Sequence, residues 1–115
     1  MFVLLIQAAP LHKRASGSAT YYNVDVGVTS CGGTYKDTDM IVALNSKQMG
    51  NAANPNKNPN CGKKLKVKGP KGSVTVTIVD TCPGCSYGDL DLSPKAFSKI
   101  ANLDAGRVSI TWSGL

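Results

Sequence analysis

Glutamate is absent from this chain of 115 residues: all seven acidic side chains are Asp, set against 13 Lys and Arg. That absence excludes long helices built on Glu, Lys and Leu, and the formal charge of +6 leaves a basic surface. Histidine occurs once, at His12, and aromatic residues make up 6% of the chain. Long apolar runs are missing too. Phe2-Val3-Leu4-Leu5-Ile6 is about a quarter of the ~20 residues needed to span a bilayer, so no membrane partner is expected. What is plentiful is turn chemistry, with 12 Gly and 6 Pro, and the composition therefore points to a single all-β-dominated domain with one core.

Residues 1–14 differ from the rest. The apolar run passes through Ala8-Ala9-Pro10 to the dibasic Lys13-Arg14, the pattern of a leader or processing segment, which leaves a domain over 15–115 that keeps 11 Lys and Arg against 7 Asp. A secreted, extracellular protein is expected. Its four cysteines, Cys31, Cys61, Cys82 and Cys85, are an even count in a small secreted domain and favour two disulfides, with three pairings open. Zinc is disfavoured, because only Cys82 and Cys85 are close in sequence and the sole His lies in the leader. A thioredoxin-type role for Cys82-Pro83-Gly84-Cys85 would need a surrounding βαβ unit, and none is visible. No metal or organic cofactor is expected.

Alternation with period 2 dominates the domain. Leu65 and Val67 face one way in Lys64–Lys68 while three lysines face the other. After the turn Gly69-Pro70-Lys71-Gly72, Val74, Val76 and Ile78 share one face and Thr75, Thr77 and Val79 the other, which makes a hairpin. Further strands are expected at 19–22, 41–44 and 107–112. Two short helices follow from capping: one after Asn45 with Gln48 three positions on, and one after Ser93 with Pro94 first and Ala96, Phe97 and Ile100 on one side. The Asn/Pro tract from Asn51 to Asn60 has no apolar period and is expected to be a surface loop.

Ala19-Thr20-Tyr21-Tyr22, Cys31-Gly32, Cys61-Gly62, Val79-Asp80-Thr81-Cys82-Pro83-Gly84-Cys85 and Leu90-Asp91-Leu92-Ser93-Pro94 occur in an order that resembles barwin-like and expansin-like proteins, in particular the fungal loosenins. The resemblance covers about residues 17–112. It implies a single six-stranded double-psi β-barrel with one or two short helices, and the pairs Cys31–Cys61 and Cys82–Cys85. It also implies that Asp91 is the essential acid, with Asp80 as a second catalytic candidate and Thr20 in the binding groove. A carboxyl over an apolar floor has a raised pKa and can donate a proton to a glycosidic oxygen or bond sugar hydroxyls; either Asp could instead satisfy backbone N–H groups near its turn or helix.

Glycoside hydrolysis ordinarily needs two carboxyl groups, and Asp25 is the remaining candidate for a base, one residue away from the place where the resemblance to expansin-related endoglucanases puts one. The sequence favours binding and loosening of cell-wall polysaccharide (cellulose, chitin or pectin) without cleavage; a lytic version would be a weak glycoside hydrolase related to those endoglucanases. Tyr22 and Tyr87, the latter beside Asp89 and Asp91 in the chain, are the expected aromatic contacts and Asp25 a further binding candidate, while Trp112 on an apolar strand face is expected in the core. The lysines at 63, 64, 66, 68 and 71 are expected to line a strand's solvent face and to attract acidic wall polymers rather than nucleic acid. The other class left open is a protein-binding module, such as an inhibitor of papain-like cysteine proteases acting through exposed loops like the Asn/Pro tract. A monomer is the expected state.

Overall fold

The structure is a computed structural model that describes residues 14–50 and 53–115; the leader expected over residues 1–14 lies outside them apart from Arg14. Six strands follow in chain order: β1 (Arg14–Tyr21), β2 (Ile41–Asn45), β3 (Lys64–Gly69), β4 (Gly72–Cys82), β5 (Leu90–Leu92) and β6 (Val108–Ser113). They close into a barrel in the order β1-β5-β2-β4-β3-β6, with β6 pairing back onto β1. Helix α1 (Ser46–Met49) follows β2, and α2 (Pro94–Ile100) follows β5. This is the six-stranded barrel that the resemblance implied.

The alternating stretches became strands for the expected reason. Leu65, Val67, Val76 and Ile78 are buried while Lys64, Lys66, Lys68 and Thr75 are exposed, so the β3–β4 hairpin turns one face to the barrel interior. Both helix caps form as the sequence suggests: Gln48 N–H donates to the Asn45 side chain, and Ala96 N–H donates to Ser93 Oγ. Phe97 and Ile100 of α2 complete the core, where the Phe97 and Tyr21 rings pack with centroids 4.8 Å apart. Trp112 is in the same core, and its indole N–H donates to Gly88 O at 2.9 Å.

Two features were not visible in the sequence. Strand β5 is three residues long and does not alternate over enough length to be detected, yet it lies between β1 and β2 and completes the barrel. Asn58, in the tract expected to be a surface loop, is buried and donates to Met49 O, while Asn60 donates to Gln48 O and Met49 O; the tract therefore ties down the end of α1. The chain also crosses itself closely where Gly17 of β1 meets Gly88. A Cβ at Gly17 would collide with Gly88 O, and one at Gly88, held at φ +90°, would collide with Ser16 O, so only glycine fits both positions.

Candidate functional site

The residues that the resemblance singled out lie in one row across four strands. Thr20 of β1 is in register with Asp91 of β5, Asp91 with Ala43 of β2, and Ala43 with Asp80 of β4. Leu90 and Leu92 on either side of Asp91 are buried in the core, so Asp91 faces outward with Thr20. Asp80 would face inward by simple alternation, because Ile78 does. The register between β2 and β4 steps from Ile78 to Asp80 between Val42 and Ala43, a bulge at Val79 that turns Asp80 onto the outer face beside Ala43. Two strand spacings then separate Asp91 from Asp80, about 10 Å between backbones.

The two carboxyl groups have different surroundings. Asp91 accepts one hydrogen bond, from Thr20 Oγ1 at 2.9 Å. Burial raises its pKa above the ordinary carboxyl value; the Thr20 bond and Arg107 pull the other way, and the Asp80 charge adds to the rise. Asp80 accepts three: Tyr22 Oη donates to Oδ2 at 3.0 Å, and Ser30 N–H and Thr81 N–H donate to Oδ1 at 2.9 Å each. About three of the four lone-pair positions of a carboxylate are then taken. Tyr22 reaches Asp80 over an apolar floor of Val24, Ile41 and Val79, and that burial together with the facing Asp80 and Asp91 charges holds its phenol firmly in the protonated form.

Asp80 thus acts as a clamp that holds both ends of the loop after β1, at Tyr22 and Ser30, to β4. We expect Asp80→Ala to strip the acceptor from three donors and cost about 2 kcal/mol. Asp80→Asn, whose carbonyl can still take both N–H groups, should cost less than half of that. Urea unfolding of the two variants measures the difference, and equal losses would contradict the clamp.

The other expected contacts lie on loops. Tyr87 is 68% exposed on the loop before β5, one residue before the Gly17–Gly88 crossing. Asp25 is exposed in the loop after β1. Asp89, which no motif singled out, accepts Ser18 N–H at 2.8 Å and pairs with Arg107 at 3.8 Å, a cation whose charge also acts on Asp91. The disulfides are Cys31–Cys61 and Cys82–Cys85. With all four sulfurs bonded, no group of three His, Cys, Asp or Glu side chains among the described residues comes together as a metal site.

A double-psi β-barrel family model described as lytic transglycolase matches residues 14–112. The chain belongs to this double-psi β-barrel family. An EG45-like domain containing protein of Citrus jambhiri is 36% identical over 98% of this chain and 89% of its own length. Among solved structures, the Streptomyces papain inhibitor superposes with a TM-score of 0.81 at 34% identity, over 90% of this chain and 94% of the inhibitor. A Clavibacter michiganensis expansin, solved in complex with cellohexaose, superposes with a TM-score of 0.76 at 32% identity over 90% of this chain, which spans half of the expansin. The double-psi barrel is therefore shared by relatives named for quite different partners, and the fold alone does not choose between them.

Proposed function

We propose that this double-psi barrel is a secreted expansin-like protein that binds cell-wall polysaccharide along the row Thr20–Asp91–Ala43 and loosens it without cutting it. The observation that carries this reading is the inequality of the two carboxyl groups. Asp91 has a raised pKa and a single protein donor, so it can offer a proton or a hydrogen bond to a sugar oxygen. Asp80, bonded three times, is poorly placed to activate water, and cleavage needs a partner for the acid. Ala43, buried between them, puts no long side chain into the row, and the exposed Tyr87 offers a face for ring stacking, with Tyr22 at the Asp80 end. A glucan segment bonded here is withdrawn from its neighbours in the wall. The test is the breaking force of wetted cellulose and chitin fibres, with released reducing sugar read from the same samples. Weakening without sugar supports the reading; weakening with sugar release replaces it by hydrolysis, and no weakening of any fibre removes it.

A second reading, inhibition of a papain-like cysteine protease, is favoured by one specific feature besides the likeness to the Streptomyces inhibitor. Val26 and Val28 are 81% and 74% exposed at the tip of a loop whose two stems are fixed. On one side Val24 is buried and its N–H donates to Asp37 at 2.7 Å. On the other, Ser30 is bonded to Asp80 and Cys31 is held by its disulfide. A rigid loop with apolar residues outermost suits insertion into a protease cleft, because little conformational entropy remains to be lost on binding. This loop fits the role better than the Asn/Pro tract, whose Asn58 and Asn60 are occupied with α1. On this reading Val26→Asp/Val28→Asp weakens papain inhibition more than about tenfold, from the lost burial of two valines, whereas Asp91→Asn keeps it. Papain left fully active by the unaltered protein ends this reading.

A further inference from the structure

The half of the barrel opposite the Asp91 row carries a surface of another kind. In the order β1-β6-β3-β4, Arg14 is in register with Ser113, Ser113 with Lys66, and Lys66 with Thr75. The next outward row is Ser16, Thr111, Lys68 and Ser73. Between the two rows lie Trp112 and Val67, both buried, so the flanking rows point to solvent. The middle strand β6 thus presents only short hydroxyl side chains, while β3 on one side carries Lys66 and Lys68 and β1 on the other carries Arg14. The result is a trough: a groove of about 710 Å³ lined by Arg14, Ser16, Lys68, Ser109 and Thr111 among others, continuing into one of about 370 Å³ that adds Lys66, Ser73 and Ser113.

Its charge is unopposed. No Asp lines either groove, and the ion pair found among the described residues, Arg107 with Asp89, involves none of the lining residues. The sequence explains why: no acidic residue occurs between Asp39 and Asp80, the segment that contains β3 and most of β4, and none in β6. A lysine row on an edge strand is ordinarily a guard against aggregation. Here β3 is not an edge, since β4 and β6 pair with it on both sides, so that explanation does not apply.

We infer that this trough is a second binding site, for an extended anionic polysaccharide of the polyuronate type. Lys66 and Lys68 stand about 7 Å apart along β3, and Arg14 lies two strands from Lys66, about 10 Å away, so cations line both walls along the path of one narrow chain. The floor of Ser109, Thr111 and Ser113 offers donors and acceptors to sugar hydroxyls between the carboxylates. The same features argue against nucleic acid. No Tyr, Phe or exposed Trp lines the trough for stacking on a single strand, and a barrel face of short side chains offers nothing that enters a duplex groove. The inference does not depend on the Asp91 row: the two share β1 and β4 but no residue, since Asp91 and Ala43 stand on β5 and β2 while the trough is centred on β6 and β3, and it stands or falls separately from fibre loosening.

The experiment measures binding of the protein to polygalacturonate, to its fully methyl-esterified form and to mixed-sequence double-stranded DNA, at low and at physiological ionic strength. The protein should bind polygalacturonate, lose affinity as salt screens the exposed charges, and ignore the neutral ester. Lys66→Gln/Lys68→Gln should bind about tenfold more weakly. Lys95→Gln/Lys99→Gln on α2, which removes the same charge elsewhere, should stay within about twofold of the parent. Equal loss in the α2 variant would reduce the effect to net charge and overturn the site. Equal binding of the neutral ester would remove the role of the cations, and tighter binding of DNA than of polygalacturonate would assign the trough to a different class of partner. Circular dichroism of both variants separates loss of binding from loss of fold.

Discussion

Asp91→Asn should leave a folded barrel that weakens a wetted cellulose or chitin fibre less than the parent, by up to about tenfold. Asn fills the same volume, and its carbonyl still accepts from Thr20 Oγ1, so the groove keeps its shape. What disappears is a carboxyl O–H that donates to a sugar oxygen; a hydrogen bond between neutral groups contributes about 0.5–1.5 kcal/mol net, a loss of up to about tenfold. Burial raises the pKa of Asp91, so the native state keeps this proton to higher pH than the unfolded chain does. The stability from this group is therefore present in full below the ordinary carboxyl pKa and is lost as pH rises through the raised one. Asn carries no such loss, so at neutral pH the variant should melt no lower than the parent. Loosening by the parent should likewise decline as pH rises through the raised pKa, because the protonated form is the donor. Undiminished weakening by Asp91→Asn would remove the proton from the mechanism.

That Asp91 and Thr20 belong together could be read from motifs; why they meet could not. The hairpin of β3 and β4 was legible because Leu65, Val67, Val74, Val76 and Ile78 alternate over a length that defines a face, and α2 because Ser93-Pro94 starts a helix unambiguously. Strand β5 was hidden because three residues show no period, although it brings Asp91 beside Thr20. The position of Asp80 was hidden for a different reason. Its direction depends on a bulge at Val79, which is a property of the pairing between β2 and β4 and leaves no mark in the local sequence. The loop at Val26 and Val28 could not be recognised as fixed until its anchors, Asp37, Asp80 and Cys61, were seen around it, because all three are distant in sequence.

Those anchors make the Cys31–Cys61 bridge the largest single stabilising crosslink, and its removal should show this. Cys31→Ser/Cys61→Ser opens a loop with a sequence separation of 30, and the released chain entropy is worth about 3–4 kcal/mol. For a domain of this size that lowers the melting temperature by roughly 15 °C. Cys82→Ser/Cys85→Ser opens a separation of only 3, which on the same reasoning costs about 2 kcal/mol. The two double variants should therefore melt in that order, and a drop for the Cys82–Cys85 pair equal to or larger than that for Cys31–Cys61 would show that local strain, rather than loop closure, governs. The functional consequence is also uneven. Opening Cys31–Cys61 frees one stem of the Val26–Val28 loop next to Ser30, so any protease inhibition should fall with it. The Thr20–Asp91 pair, held by the parallel ladder between β1 and β5, needs neither bridge, and below the lowered melting temperature fibre loosening should persist.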